Sequence, residues 1–142
     1  MPAAEDLSAP VILVVDDEAG VNRLVSRYLR HVGYQVLEVA SGDEALAVVR
    51  RRQPRVNVIL SDVASAGLDG VALATQVLSR CPGPSVILMT GRLADEIERL
   101  NVNGQIVQVL GKPLNLDRLQ NLLWVTLEGF PDTEEHPVHL VG

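Results

Sequence analysis

The sequence predicts an α/β fold built on a single five-stranded parallel sheet. Two observations carry this prediction. Short apolar runs and helical patterns alternate five times along the 142 residues, and the links between them are short, as in successive strand–helix units whose helices cover both faces of a sheet. A third observation concerns the strand ends. Acids, a hydroxyl and a lysine fall where four of the apolar runs stop, and open parallel sheets bind ligands at the carboxyl ends of their strands, beside the switch in strand order.

Val11–Val15 is a continuous apolar run, as expected of a strand covered on both faces. Asp16-Asp17-Glu18 follows it directly. Val21, Leu24, Val25, Tyr28, Leu29 and Val32 then fall at helical spacing, and Gly33 stops that helix. Gln35–Ala40 reads as the second strand. Ser41 with Glu44 three residues on forms a capping box for a second helix. That helix ends at Arg50-Arg51-Arg52, where positive charge complements the helix dipole.

The third strand, Val56–Leu60, ends at Ser61-Asp62, and the loop 63–68 leads to Asp69-Gly70 and a helix reaching about Ser79. Asp69 is expected as a cap or turn residue rather than a ligand. Ser85–Met89 is the fourth strand, ending at Thr90-Gly91. A short polar helix is predicted over Leu93–Leu100. Ile106–Leu110 is the fifth strand, ending at Gly111-Lys112-Pro113, and Asn115 or Asp117 opens a last helix reaching about Glu128. The expected organisation is a lead at 1–9, one domain over 10–128 and a tail at 129–142.

Composition narrows the function. A hydrophobic content of 47% suits one globular domain with a real core. A net charge of −6 and only 3% aromatic residues disfavour a nucleic-acid surface. Cys81 is the single cysteine, so no internal disulfide can form, which fits a reducing compartment. No apolar run reaches membrane-spanning length and no signal peptide is evident, so a cytoplasmic location is expected. His136 and His139 lack the further ligands a metal site needs.

Acids seldom cluster at the mouth of a buried strand unless a cation or proton holds them there. Asp16, Asp17 and Asp62 offer the carboxylate oxygens that hard divalent cations such as Mg²⁺ prefer. Thr90 could donate a hydrogen bond to a phosphoryl group, and Lys112 could neutralise one as a point charge. A carboxylate can attack phosphorus to form an aspartyl phosphate, with positive charge nearby stabilising the transfer. Taken alone, the acidic run could be no more than a solvated helix N-terminus. Its conjunction with Asp62, Thr90 and Lys112 argues otherwise.

These residues resemble the receiver domain of two-component response regulators, of the single-domain chemotaxis-regulator type. The matching pieces, in order, are Val14-Val15-Asp16-Asp17-Glu18, Ile59-Leu60-Ser61-Asp62, Leu68-Asp69-Gly70, Leu88-Met89-Thr90-Gly91 and Gly111-Lys112-Pro113. The resemblance covers about Val11 to Glu128. It implies a flavodoxin-like (βα)5 fold with strand order 2-1-3-4-5. It implies that Asp62 is the phosphoacceptor, that Mg²⁺ is held by Asp16, Asp17, Asp62 and the Ala64 backbone carbonyl, and that Thr90 and Lys112 contact the phosphoryl group. The Lys112–Pro113 bond is expected to be cis. The implied donor is a phosphohistidine on a sensor histidine kinase or phosphotransfer protein, and the chain is expected to catalyse only its own phosphorylation and dephosphorylation rather than act as an enzyme on other substrates.

The sequence departs from that family at two places. Ser65 and Ala66 stand where Met-Pro is usual, so the loop after the acceptor lacks a proline's fixed φ and is expected to be more flexible. Val109 stands where a Tyr or Phe often serves as a rotameric switch, and a valine has no ring to swing, so switching is expected through backbone and loop shifts. On the last helix, Leu116, Leu119, Leu123 and Leu127 form a core stripe. Leu122, Trp124 and Val125 add apolar surface, which with Ile97, Leu100 and Val109 reads as a face for a homodimer or a downstream protein target. No output domain is expected after Glu128, so signalling would run through protein–protein contact. Two further functions compete: a Mg²⁺-dependent phosphatase or phosphotransferase acting on an external substrate, which would need a pocket the chain is too short to spare, and a binding module that works without phosphorylation.

Overall fold

The structure is a computed structural model that describes residues 9–52, 54–64, 68–81, 83–91, 99–112 and 114–128. The elements are β1 (Val11–Val15), α1 (Ala19–His31), β2 (Gln35–Val39), α2 (Gly42–Arg51), β3 (Val58–Asp62), α3 (Gly70–Arg80), β4 (Ser85–Thr90), β5 (Arg99–Val102), β6 (Gln105–Gly111) and α4 (Leu116–Glu128). They form one six-stranded sheet in the order β2-β1-β3-β4-β6-β5. Five strands are parallel and follow the expected 2-1-3-4-5 arrangement, and β5 is antiparallel to β6 at the edge.

The extra strand corrects the predicted strand count. Arg99 and Leu100, expected at the end of a short helix, lie in β5. The cause is the Asn103-Gly104 pair, whose φ values of 55° and 83° are both positive, as the two-residue turn matching the strand twist requires. Asn101 Oδ1 accepts a hydrogen bond from the Gly104 N–H at 2.9 Å, bracing the turn. In β6, Gln105–Gln108 pair with β5 and Gln108–Gly111 pair with β4, so among the described residues Gln108 alone is paired on both sides. The rest of the expected fourth helix, including Ile97, lies outside the described residues, as do loop positions 65–67, Pro113 and its peptide bond, and the tail with its histidines.

Period-two alternation splits the sheet residues between two cores. Val11, Leu13 and Val15 face one cluster with Ala45, Leu46, Leu73 and Val77 from α2 and α3. Ile12 and Val14 face the other, with Val25, Leu29, Leu119 and Leu123 from α1 and α4. The caps act as anticipated: Ser41 Oγ accepts from the Glu44 N–H, Asp69 Oδ1 from the Ala72 N–H, and Asn115 Oδ1 from the Arg118 N–H.

The first helix turns Val21, Val25, Tyr28 and Leu29 of its predicted face toward the core, but not the whole stripe. Its buried residues are Asn22, Val25, Ser26 and Leu29, while Leu24, placed in the apolar stripe from sequence, is 61% exposed. The expected interaction face is also revised. Val109 is buried among the residues under α2 and α3 and presents no surface. Leu100 packs partly against that same cluster, and Leu122 packs partly against the opposite one.

Candidate functional site at the carboxyl end of the sheet

β1 is hydrogen-bonded to β2 on one side and β3 on the other, so the crossovers diverge there and open a crevice at the strand ends. Asp16 leaves β1 at this crevice and Asp62 is the last residue of β3. One carboxylate oxygen from each of Asp16, Asp17 and Asp62 lies within 4.8 Å of the others. Asp16 is 1% exposed and Asp62 9% exposed, whereas Asp17 is open to solvent.

The lysine arrives from β6. The sheet aligns Thr90 with Gly111, and the Lys112 N–H donates to the Thr90 carbonyl at 2.8 Å. The Lys112 ammonium then reaches Asp62 Oδ2 at 2.8 Å and Asp16 Oδ2 at 2.9 Å. Burial alone would lower its pKa. The hydrogen bonds it donates to Asp62 and Asp16, with their negative charges, outweigh burial and push the ammonium above the ordinary lysine range. Glu18 lies 3.6 Å from the same ammonium through a well-exposed side chain. Such an exposed pair contributes little.

Backbone groups orient the two buried acids. Asp16 Oδ1 accepts from the Glu18 N–H at 2.9 Å, and Asp62 Oδ1 accepts from the Ala64 N–H at 3.0 Å. Gly70, the first residue of α3, lies so close to the β3 end that a Cβ there would sit 2.7 Å from the Asp62 carbonyl oxygen. The structure thus brings together Asp16, Asp17, Asp62 and Lys112, places Ala64 beside Asp62, and holds Thr90 next to the lysine strand.

The donor set fits a hard divalent cation. Three carboxylates face one ammonium, which leaves negative charge for a further cation to balance, and oxygen-only ligands are what Mg²⁺ takes. Asp16, Asp17 and Asp62 are the residues that could hold it.

The chain belongs to the response regulator receiver domain family, whose model matches residues 12–123. Among curated proteins it is similar to the transcriptional regulatory protein ZraR of Salmonella typhimurium, 34% identical over 112 residues, covering 79% of this chain and 25% of that one. It is also similar to the transcriptional regulatory protein GlrR of Escherichia coli, 31% identical over 127 residues, covering 87% of this chain and 28% of that protein. The chain therefore spans about a quarter of the length of these relatives. Among solved structures, a CheY-like response regulator receiver domain protein from Methanospirillum hungatei JF-1 superposes with a TM-score of 0.73 at 25% identity, covering 84% of this chain and 94% of that one. Vibrio cholerae chemotaxis protein CheY4 does so with a TM-score of 0.71 at 27% identity, covering 84% and 99%. Among the described residues, no helix is long and apolar enough to cross a membrane.

One contributor escaped sequence reasoning. Asn22 is 5% exposed, and its side chain binds the Asp16 backbone. The signal was present: Asn22, Val25, Ser26 and Leu29 are spaced as one helix face, but two polar residues among the four hid it.

Proposed function

We propose that this receiver domain is a phosphorylation-controlled switch with Asp62 as the acceptor. A carboxylate oxygen of Asp62 attacks the phosphorus of a phosphohistidine on a sensor kinase or phosphotransfer protein. The P–N bond breaks, its electron pair returns to the imidazole, and an acyl phosphate remains on Asp62. Asp16, Asp17, Asp62 and the Ala64 carbonyl would hold Mg²⁺, which when bound supplies positive charge to the phosphoryl oxygens. Lys112, already at hydrogen-bond distance from the acceptor, would shift its ammonium to the new phosphoryl group, and Thr90 would donate its hydroxyl.

The single observation that carries the proposal is the Lys112 ammonium shared between Asp62 and Asp16, 2.8 and 2.9 Å away. The phosphoryl group adds close to −2 charge at this point. Taking a two-state domain from mostly off to mostly on requires about 5 kcal/mol of differential stabilisation. With Val109 fixed in the core, that energy would be expressed through backbone and loop shifts. The output would be protein–protein contact, with Leu122, Trp124 and Val125 of α4 the candidate surface for a target or a second copy. The chain would turn over no external substrate, and a kinase donor charged from ATP would place it in the cytoplasm.

The test is intact-mass measurement after incubation with a small acyl phosphate and Mg²⁺. A gain of one phosphoryl group is expected, lost in Asp62→Asn and in excess chelator. A gain that persists in Asp62→Asn would move the acceptor elsewhere.

A further inference from the structure

The β1 and β2 strands part company just beyond Val15 and Val39, the last pair of their register. Past this point Asp16 is held to β2 by one backbone bond, its N–H donating to the Val39 carbonyl at 3.3 Å. The Asn22 carboxamide spans the same gap. Its Nδ2 donates to the Asp16 carbonyl at 3.2 Å and to the Val39 carbonyl at 3.1 Å. On its other side, Oδ1 accepts from Ser26 Oγ at 3.3 Å, and Ser26 is fully buried.

Two backbone carbonyls on one side fix which end of the amide faces Asp16, because an oxygen there would meet two oxygens. The serine hydroxyl one turn down the helix satisfies the remaining acceptor. The carboxamide thus bolts α1 to the ends of two strands at the residue that carries a site carboxylate. The Asp16 carboxylate in turn has a fixed donor, the Glu18 N–H, and Glu18 stands at the N-cap position of α1. Rotation of the Asp16 peptide planes would therefore disturb both ends of this short segment together.

We infer that Asn22 is a positioning residue for the acidic site: through the Asp16 backbone it holds the Asp16 carboxylate where a divalent cation and the phosphoryl group on Asp62 can use it, and Ser26 sets its orientation. The proposal rests on the receiver function proposed above and deepens it. Asn22 touches neither cation nor phosphoryl group, so its loss should weaken binding and slow phosphorylation without abolishing either.

The experiment compares wild type, Asn22→Leu, Ser26→Ala and a control, Leu29→Val, which lies on the same helix face but does not reach the site. Mg²⁺ binding is measured by calorimetry, the phosphorylation rate with a small acyl phosphate is measured at saturating Mg²⁺, and stability is measured in chelator. Asn22→Leu should bind Mg²⁺ about tenfold more weakly. Ser26→Ala should lose about two- to threefold, and being a small deletion in a helix it provides the reading if Asn22→Leu does not fold. Leu29→Val should lose stability and keep wild-type affinity. Wild-type affinity and rate in the folded Asn22→Leu protein, or in Ser26→Ala if that variant stands alone, would overturn the inference while leaving the receiver function intact. A wild-type protein that neither binds Mg²⁺ nor becomes phosphorylated would overturn both.

Discussion

Lys112 and Asp62 are 50 residues apart in the chain and 2.8 Å apart in the fold. That contact exists because β3, β4 and β6 lie side by side and end at one level. The ammonium serves as the standing counter-charge of the acidic site, with only 15% of its side chain exposed.

Replacing Lys112 with Met should therefore expose the repulsion it balances. In chelator, the variant is expected to lose about 2 kcal/mol of stability by denaturant titration. Added Mg²⁺ should restore more of that loss than it adds to wild type, and Mg²⁺ affinity should rise. The contribution is proton-linked. Because the folded-state pKa of Lys112 is raised, its stabilisation in metal-free protein is fully present below the unfolded lysine value of about 10.4 and is lost only as pH rises through the folded value. The stability gap between wild type and variant should stay constant across neutral pH, narrow above about 10.4 and close as pH passes the folded value.

Asp17 is the exposed member of the acidic group. Asp17→Asn is expected to leave metal-free stability within about 0.5 kcal/mol of wild type while weakening Mg²⁺ binding about tenfold or more. Calorimetric titration beside a chelator-treated melting curve checks both halves. An unchanged affinity would remove Asp17 from the cation site.

Gly70 and Gly20 should respond in opposite ways to alanine. A Cβ at Gly70 would lie 2.7 Å from the Asp62 carbonyl oxygen and 2.9 Å from Val63 Cα, both backbone atoms. Gly70→Ala is expected to cost about 1–3 kcal/mol and to slow phosphorylation by moving the acceptor's own peptide. Around Gly20 nothing lies within 4 Å, so Gly20→Ala should be neutral or stabilise by up to about 1 kcal/mol. Paired denaturation curves and phosphorylation rates decide this.

Gly104 has a φ of 83°, in the left-handed region that favours glycine. Gly104→Val should destabilise the protein by about 1–2 kcal/mol and accelerate amide exchange across β5 ahead of the other strands. Uniform exchange behaviour across the sheet would argue against the hairpin.

Much of the architecture was legible because each parallel strand carries its own signature. The Val11–Val15 run is apolar at every position because both faces are buried, and the caps at Ser41, Asp69 and Asn115 are local chemistry. The site was legible because its members end strands. What escaped depended on pairing. The Asn103-Gly104 turn is readable, but Arg99 and Leu100 just before it end a stretch rich in helix formers and read as helix rather than strand. Analogy with an aromatic position puts Val109 on a surface, whereas period-two spacing from buried Val107 puts it in the core. Asn22 escaped because its value lies in two carbonyls, on Asp16 and Val39, that no side-chain pattern displays.

The β5 hairpin changes the mechanics of the strand that delivers Lys112. In a five-stranded sheet β6 would be an edge, gripped along one side. Here its first half is clamped by β5 and its second half by β4, and among the described residues only Gln108 is gripped from both. The strand is thus a shaft carried in two offset bearings. A twist imposed at the hairpin tip would reach the ammonium along the strand through Gln108, four positions before Lys112, and through Leu100 where β5 packs on the core.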